Sequence, residues 1–413
     1  MRLRVERLLI ALVLVAVPAC VIVSTSSSGG PDPGCDAGRP AAGADAERAV
    51  LANVATQIAL PLYRDFEASA TRLDEATAAY EASLSDPDRD AARAAWDQAM
   101  GLWQAAEMLQ LGPAGMRPQN GVPGVIGGLD LRDRIYVWPI VQCRIDQETV
   151  AATYDDPAAF AAAPATVRGL AVIEYLLFLD SLGNGCSAGA AINTDGTWAG
   201  LGATEIRRRR ARYAHLAATL VRGAATELRA AWDPSGGDFA GTLSRAGEAG
   251  NPYRSAAEGL NALVGAMFYV DTDVKDMKLG APAARTTACL VSSCPTLLES
   301  RWAGRAREGV LANLRAFERI FFGDAPAGTA PGLDDLLASI GAADVRDRVA
   351  TALASAIAAV EALPPITPAS LEANVAAVGA AYDAVKGLTD LLKSELLCVL
   401  GIDLPNRADG DND

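Results

Sequence analysis

Histidine is almost absent from this chain, since His215 is the only one among 413 residues. A single imidazole excludes a zinc site built from several histidines and the H-E-x-x-H helix of zinc proteases. No C-x-x-C pair occurs, so the usual cysteine-based zinc spacing is excluded as well. No P-loop, dinucleotide fingerprint or nucleophile-elbow serine stands where a strand-to-helix turn is expected, which argues against those enzyme classes.

Basic charge and aromatic side chains are also scarce. Lys and Arg total 36 against 50 Asp and Glu, which gives a formal net charge of −14. A chain this acidic lacks the positive surface that binds nucleic acid, which is therefore excluded as a partner. Aromatic residues make up 6% and hydrophobic residues 51% of a visibly alanine-rich chain. This composition favours close-packed helices over sheets.

The first residues have the composition of an export signal. Three arginines precede a short apolar run that ends in Val17-Pro18-Ala19-Cys20. This order is similar to a bacterial lipoprotein signal, in which the cysteine becomes the lipidated N-terminus. We predict a signal peptide over residues 1–19, lipidation of Cys20 and a flexible tether over residues 20–44. The protein is then held at a membrane of the bacterial cell envelope, and an ordinary cleaved signal is the alternative.

The other six cysteines predict disulfide bonds, because their number is even and the signal indicates an oxidising compartment. They are Cys35, Cys143, Cys186, Cys289, Cys294 and Cys398. Cys289 and Cys294 bracket four residues and can close a tight loop. Six cysteines allow about fifteen pairings, so the residues by themselves leave the connectivity open.

Helical periodicity extends over most of the chain from about residue 45 onward, with breaks at clusters of glycine and proline. Residues 91–111 show it clearly, with apolar side chains at i, i+3 and i+4 spacing as far as Gly112-Pro113. Residues 113–129 form a long Gly/Pro loop without strand alternation. We therefore predict an all-α fold with no substantial sheet.

Short strings of the first half recur in the second half. Leu51-Ala52-Asn53, for example, is repeated as Leu311-Ala312-Asn313. An internal duplication is the hypothesis that follows, and it predicts two packed helical bundles. We place these bundles at residues 45–235 and 250–405, followed by an acidic tail over residues 406–413.

Glu174 is the most informative charged residue, because its surroundings on a helix are apolar. Its neighbours at i±3 and i±4 are Leu170, Ala171, Leu177 and Phe178. An unpaired carboxylate on such a face costs free energy. We therefore expect an arginine, a tyrosine or backbone N–H groups to donate to it, or burial to raise its pKa. Functional sites and structural polar networks both have this pattern.

Charged and aromatic residues alternate between positions 130 and 146, directly after the long loop. Arg132, Arg134 and Arg144 are candidate partners for Glu174, since an arginine binds a carboxylate with two parallel hydrogen bonds. We predict that this segment lines a polar cleft, and a solvated surface with i,i+4 ion pairs is the alternative. The candidate cleft residues are Gly169, Glu174, Tyr175, Arg132, Arg134, Trp138, Arg144 and Asp146.

The order of these segments resembles the imelysin family of bacterial cell-envelope proteins, from about residue 45 to the end of the chain. The resemblance implies two helical bundles and an exported, often lipid-anchored protein. It also implies an association with iron acquisition or assignment to the metallopeptidases. The matching residues are Ala95-Trp96 through Glu107, Gly112-Pro113, Trp138-Pro139, Cys143 to Glu148, Gly169 to Phe178, Cys294, Glu299-Ser300, Asn313-Leu314, Leu404-Pro405 and Gly410 to Asp413.

The family hallmark is G-x-H-x-x-E, whose His and Glu lie one helical turn apart and face the cleft between the bundles. Gly169 and Glu174 match this motif, but Ala171 occupies the histidine position. Zinc hydrolysis needs about three protein ligands and an open position, so the departure argues against peptidase activity. The resemblance also implies a disulfide between Cys143 and Cys186.

We therefore expect a non-catalytic protein that binds a metal species, a metal chelate or a partner protein in envelope iron handling. Iron or another divalent metal is the candidate cofactor, and an iron-uptake protein is the candidate partner. Carboxylate oxygens of Glu174, Asp146 and Asp130 would suit a hard cation if they converge. A metallopeptidase and an envelope scaffold without a ligand are the alternatives.

Overall fold

The computed structural model describes residues 41–119, 124–323 and 330–403. The predicted signal peptide, Cys20, most of the tether and the acidic tail lie outside the described residues. Within the described ranges the chain folds into helices without a sheet, which confirms the predicted all-α class. None of the helices in these ranges is long and apolar enough to cross a membrane.

Four long or central helices of the first half pack into a bundle. They are α2 (Leu60–Ser83), α3 (Asp86–Ala106), α7 (Leu170–Phe178) and α9 (Thr197–Trp232). Both α2 and α7 contact α3 and α9. The helices of this half are α1 (Ala44–Asn53), α2 (Leu60–Ser83), α3 (Asp86–Ala106), α4 (Leu131–Ile135), α5 (Gln142–Ala151), α6 (Pro157–Ala161), α7 (Leu170–Phe178), α8 (Ala191–Thr194) and α9 (Thr197–Trp232).

The second half forms a similar group around α12, α14, α15 and a π-helix over Val270–Gly280. In this group α14 contacts α12 and α15, and the π-helix contacts the same two helices. The helices of this half are α10 (Phe239–Ser244), α11 (Ala256–Met267), α12 (Ala306–Phe322), α13 (Leu333–Ser339), α14 (Ala343–Glu361), α15 (Leu371–Leu391) and α16 (Leu397–Leu400).

The two bundles share one hydrophobic core, which runs through both halves of the chain. Helix α3 of the first half packs on α12, while α1 packs on α10 and α11. A short π-helical segment over Val54–Ala59 joins α1 to α2, so α1 belongs to the junction between the bundles. The predicted domain limits at residues 235 and 250 stay a prediction.

The repeated Leu-Ala-Asn strings both place a buried asparagine at the junction. The Asn53 amide donates to the carbonyl oxygens of Gly323 at 2.9 Å and Pro331 at 3.1 Å. The Asn313 amide donates to the carbonyl oxygen of Gln104 at 2.6 Å. Each asparagine therefore binds the backbone of the opposite half. This reciprocity agrees with an internal duplication, which stays a prediction.

Two disulfide bonds considered in the sequence analysis are present. Cys143 on α5 pairs with Cys186 in the connection between α7 and α8. Cys289 pairs with Cys294 and closes the short loop between them. Both pairings are therefore confirmed.

Candidate functional site at the bundle junction

Glu174 lies on α7, where only 2% of the residue is exposed. Its Oε1 accepts hydrogen bonds from the backbone N–H groups of Trp302 at 2.9 Å and Ala303 at 3.0 Å. These two residues precede α12 in the second half, so the carboxyl group joins the two bundles. The donors are backbone N–H groups, one of the expected kinds, and none of the three candidate arginines forms a hydrogen bond with Glu174.

Burial raises the pKa of Glu174 from its ordinary value of 4.5 to about 8. The two N–H donors and Arg301 lower this pKa, but the negative charge of Glu299 raises it, and burial has the largest effect. The carboxyl group is therefore largely neutral at pH 7. A neutral acid can keep both hydrogen bonds at Oε1 without a buried charge.

Replacement of Glu174 by glutamine is expected to make the free energy of unfolding less dependent on pH. The folded pKa of about 8 lies above the ordinary value of 4.5. The stabilisation that protonated Glu174 gives the folded state is therefore fully present below pH 4.5 and is lost as the pH rises through 8. Glutamine keeps a carbonyl acceptor and carries no charge. The free energy of unfolding of the variant should thus match that of the wild type at about pH 5 and exceed it at about pH 9.

Urea unfolding over this pH range measures the effect on Glu174→Gln. The exposed Glu372 provides a matched control, since Glu372→Gln should leave the pH profile parallel to that of the wild type. A Glu174→Gln profile that also ran parallel to the wild type would contradict the raised pKa.

Lys278 is the central cation of the junction, and only 4% of it is exposed. Its Nζ lies 2.5 Å from Gln104 Oε1, 2.8 Å from Asn313 Oδ1 and 3.1 Å from Glu299 Oε2. The ring centroid of Tyr269 lies 5.0 Å from the same nitrogen. Three oxygen atoms and an aromatic face therefore compensate the buried charge.

Glu299 extends this cluster towards α4, and it is 1% exposed. Its Oε1 accepts hydrogen bonds from the Tyr136 hydroxyl at 2.6 Å and the Gln104 amide at 3.1 Å. Burial and the charge of Glu299 raise the pKa of Tyr136 well above its ordinary value, so the tyrosine remains a donor. Side chains from both bundles thus form one hydrogen-bonded network.

Glu107 forms the next part of the junction and is fully buried after the end of α3. It accepts hydrogen bonds from Trp103 and Gln110, both at 2.5 Å, and from Arg132 Nε at 3.3 Å. Burial raises the pKa of Glu107, while the Arg132 guanidinium lowers it. Glu107 in turn raises the pKa of Arg132, so this arginine stays charged.

A cavity of about 450 Å³ lies beside Arg132, between residues 114–116 and 125 of the long loop, α4 and α11. We call it the Arg132 cavity. Three of its lining side chains are charged, namely Asp130, Arg132 and Asp133, and most of the others are small or apolar. The described lining consists of Gln110, Ala114, Gly115, Met116, Val125, Asp130, Arg132, Asp133, Ala262, Gly265 and Ala266.

Asp146 and Tyr175 belong to a separate cluster next to the Cys143–Cys186 disulfide. Asp146 Oδ2 accepts hydrogen bonds from the Tyr175 hydroxyl at 2.6 Å and the backbone N–H of Gly185 at 2.7 Å. A guanidinium nitrogen of Arg210 lies 4.0 Å from the other carboxylate oxygen. This cluster fixes the connection after α7.

The remaining candidates from the charged segment are partly exposed at the protein surface. Arg134 pairs with Glu227 at 2.5 Å, and Arg144 pairs with Glu148 at 2.5 Å across one helical turn. Trp138 is half-buried against the core. Arg144 thus forms an i,i+4 ion pair, Arg134 pairs with a residue of α9, and Arg132 lines a cavity.

The three carboxylates proposed as metal ligands are not brought together. Glu174 and Asp146 have the separate partners described above, and Asp130 accepts a hydrogen bond from the backbone N–H of Arg117 at 2.6 Å. At the motif histidine position, the Ala171 methyl group is 1% exposed. The described ranges contain no group of three or more His, Cys, Asp or Glu side chains that could hold a metal ion. These residues therefore do not fit the metal that the family resemblance implies.

Sequence reasoning missed Lys278 and its oxygen partners. Lys278 lies in the π-helix over Val270–Gly280, which is rich in charged residues and has the composition of a solvated surface. Glu299 and Glu107 lay within the strings that resembled the family, but nothing in their spacing indicated burial. These side chains come together only because α3 packs against α12 in the folded protein.

Comparisons with known proteins agree with this architecture. The family model for imelysin (peptidase M75) matches residues 59–394. A protein from Parabacteroides distasonis ATCC 8503 that is described as an iron-regulated protein A precursor has a similar fold, with a TM-score of 0.68. The two sequences are 18% identical, and the match covers 89% of this chain and 98% of that chain. An imelysin-like protein from Psychrobacter arcticum 273-4 gives a TM-score of 0.63 and 19% identity over 88% and 98%. No curated protein matches the chain.

Proposed function

This chain belongs to the imelysin family, and from that premise we propose that it is a non-catalytic member that binds an iron chelate in envelope iron handling. The observation that carries the non-catalytic part of the proposal is the environment of Glu174. Its carboxyl group is buried and already accepts two backbone N–H groups, while Ala171 stands at the histidine position. The motif glutamate therefore acts as a structural acceptor, and the Arg132 cavity is the proposed binding site.

The size of the cavity and the chemistry of its lining support a chelate over a bare ion. Ligand sites in proteins commonly enclose about 300–1,000 Å³, and the Arg132 cavity has about 450 Å³. Iron(III) is a hard cation that prefers oxygen ligands, and a chelator supplies them where the described side chains form no metal-holding group. The assignment of one structural neighbour as iron-regulated supports the link to iron.

The proposed location is the bacterial cell envelope, with Cys20 as the lipid anchor after removal of residues 1–19. The composition of the first twenty residues supports it. The two disulfides described above support an oxidising compartment, because such bonds are rare in the cytosol. An iron-uptake protein in the same compartment is the proposed partner.

The test measures melting temperatures of the protein with iron(II), iron(III), copper(II) and zinc(II) ions, and with iron(III) complexes of citrate, a trihydroxamate and a tris-catecholate. A ligand that binds only the folded state raises the melting temperature as its concentration increases. We expect at least one iron complex to do so, in the wild type and in Glu174→Gln alike, because Glu174 does not line the cavity.

Two results would contradict this proposal. One is the absence of a melting shift with every iron complex. The other is zinc-dependent cleavage of peptides that a chelator stops and Glu174→Gln abolishes, which would favour the metallopeptidase alternative. If no ligand binds but Glu174 variants lower stability, the scaffold alternative is favoured.

A further inference from the structure

We infer that the Arg132 cavity selects iron chelates that carry no net negative charge and present an apolar outer surface, as trihydroxamate complexes do. This inference rests on the proposed function and narrows it to one chemical class. It is carried by the charges of the cavity, by the partners of Arg132 and by the small apolar side chains of the lining.

The charges around the cavity are predominantly negative. Asp130 and Asp133 line it together with Arg132, and the side chain of Asp133 is 57% exposed. Beyond the lining, Arg117 lies 3.8 Å from Asp130 and offsets that carboxylate, while the buried Glu107 lies behind Arg132. Two carboxylates and one guanidinium group thus line the cavity, in a chain whose formal net charge is −14. This distribution repels anions.

Arg132, the cation among the described lining residues, is already held by carboxylates. Its Nε lies 3.3 Å from Glu107 Oε2, and its Nη1 lies 3.2 Å from Asp133 Oδ1. An anionic chelate that recruited this guanidinium would leave Glu107 buried without its cation, which is strongly unfavourable. The arginine therefore does not serve as an anion receptor.

Small apolar side chains make up much of the cavity lining. Ala114 and Val125 come from the long loop, and Ala262 and Ala266 come from α11. Met116 also lines the cavity and is 47% exposed, although it is a large hydrophobic residue. A charged carboxylate or catecholate against these side chains would lose its hydration without gaining a donor. A chelate with methylene groups on its outer surface would instead bury apolar area.

The test is isothermal titration calorimetry on the full chain with four iron(III) complexes. Two are trihydroxamates, one cationic and one uncharged, and two are anionic, namely a tris-catecholate and citrate. We expect both trihydroxamates to bind at least ~10-fold more tightly than either anionic complex. Added salt should weaken binding of the cationic complex more than binding of the uncharged one.

Matched variants locate the site. Ala262→Trp fills the cavity and is expected to weaken trihydroxamate binding by at least ~10-fold. Ala257→Trp, at an exposed position of the same helix, should leave binding unchanged. Asp133→Asn removes one negative charge from the lining and should weaken binding of the cationic complex by roughly 3-fold to 10-fold, and binding of the uncharged complex by less.

Each other outcome is decisive. If an anionic complex binds as tightly as the trihydroxamates, selection by charge is wrong while the proposed function stands. If trihydroxamates bind equally well to Ala262→Trp and Asp133→Asn, the site lies elsewhere and the inference is overturned. If no iron complex binds at all, the proposed function itself fails.

Discussion

Replacement of Lys278 by methionine is expected to lower the free energy of unfolding by about 3–5 kcal/mol. Methionine has a similar length but no charge, so Glu299 would remain buried without its cation. The amide oxygens of Gln104 and Asn313 would also lose their shared donor. Because these partners come from both halves of the chain, the loss weakens the contact between the bundles.

A second substitution tests whether the unpaired buried charge of Glu299 causes the loss of stability. Glu299→Gln in the Lys278→Met background removes that charge and keeps an acceptor for Tyr136. The double variant is expected to regain most of the lost stability, since replacing both members of a buried ion pair is far less costly than removing one. The coupling energy from this double-mutant cycle should therefore exceed about 1 kcal/mol.

Urea unfolding followed by circular dichroism measures these differences. Arg254→Met is the control, because Arg254 forms an exposed ion pair with Glu258 and its side chain is 87% exposed. Such pairs contribute about 0–1 kcal/mol. If Lys278→Met lowers the free energy of unfolding as little as Arg254→Met does, the ammonium group is not needed to stabilise its buried oxygen partners.

Replacement of Gly169 by alanine is expected to lower the free energy of unfolding by about 3 kcal/mol. Gly169 has φ +87° and ψ −175°, a conformation that only glycine adopts without strain. A Cβ atom there would lie 2.6 Å from the carbonyl oxygen of Ile135. Ile135 ends α4, the helix that carries Arg132, so the substitution should also disturb the Arg132 cavity.

The same chemical change at Gly101 provides the control. Gly101 lies inside α3, and a Cβ built there meets no atom within 4 Å. Gly101→Ala is expected to raise stability by up to about 1 kcal/mol, because alanine favours the helix more than glycine does. If thermal unfolding shows equal effects for the two variants, the close approach to Ile135 is not the reason for glycine at position 169.

The helical class of this protein follows from its sequence alone. Helix α3 illustrates the reason, since its apolar residues repeat every three or four positions and Gly112-Pro113 follows soon after its end. The same local reasoning placed Glu174 on an apolar face and predicted an arginine, a tyrosine or backbone N–H groups as its donors, or a raised pKa. The apolar neighbours within one helical turn are enough to predict that the carboxyl group is buried and needs donors or a raised pKa, but they do not identify the donors.

Only the tertiary structure decided which groups meet at the junction. Glu174 finds its donors 128 residues away at Trp302, and Lys278 finds Gln104 at a separation of 174 residues. Periodicity extends over a few turns and carries no information about contacts at such separations. The π-helix that holds Lys278 therefore has the composition of a surface, while the packing of α3 against α12 buries its ammonium group. For the same reason the sequence could not show whether Glu174, Asp146 and Asp130 converge, and the packing of the helices does not bring them together.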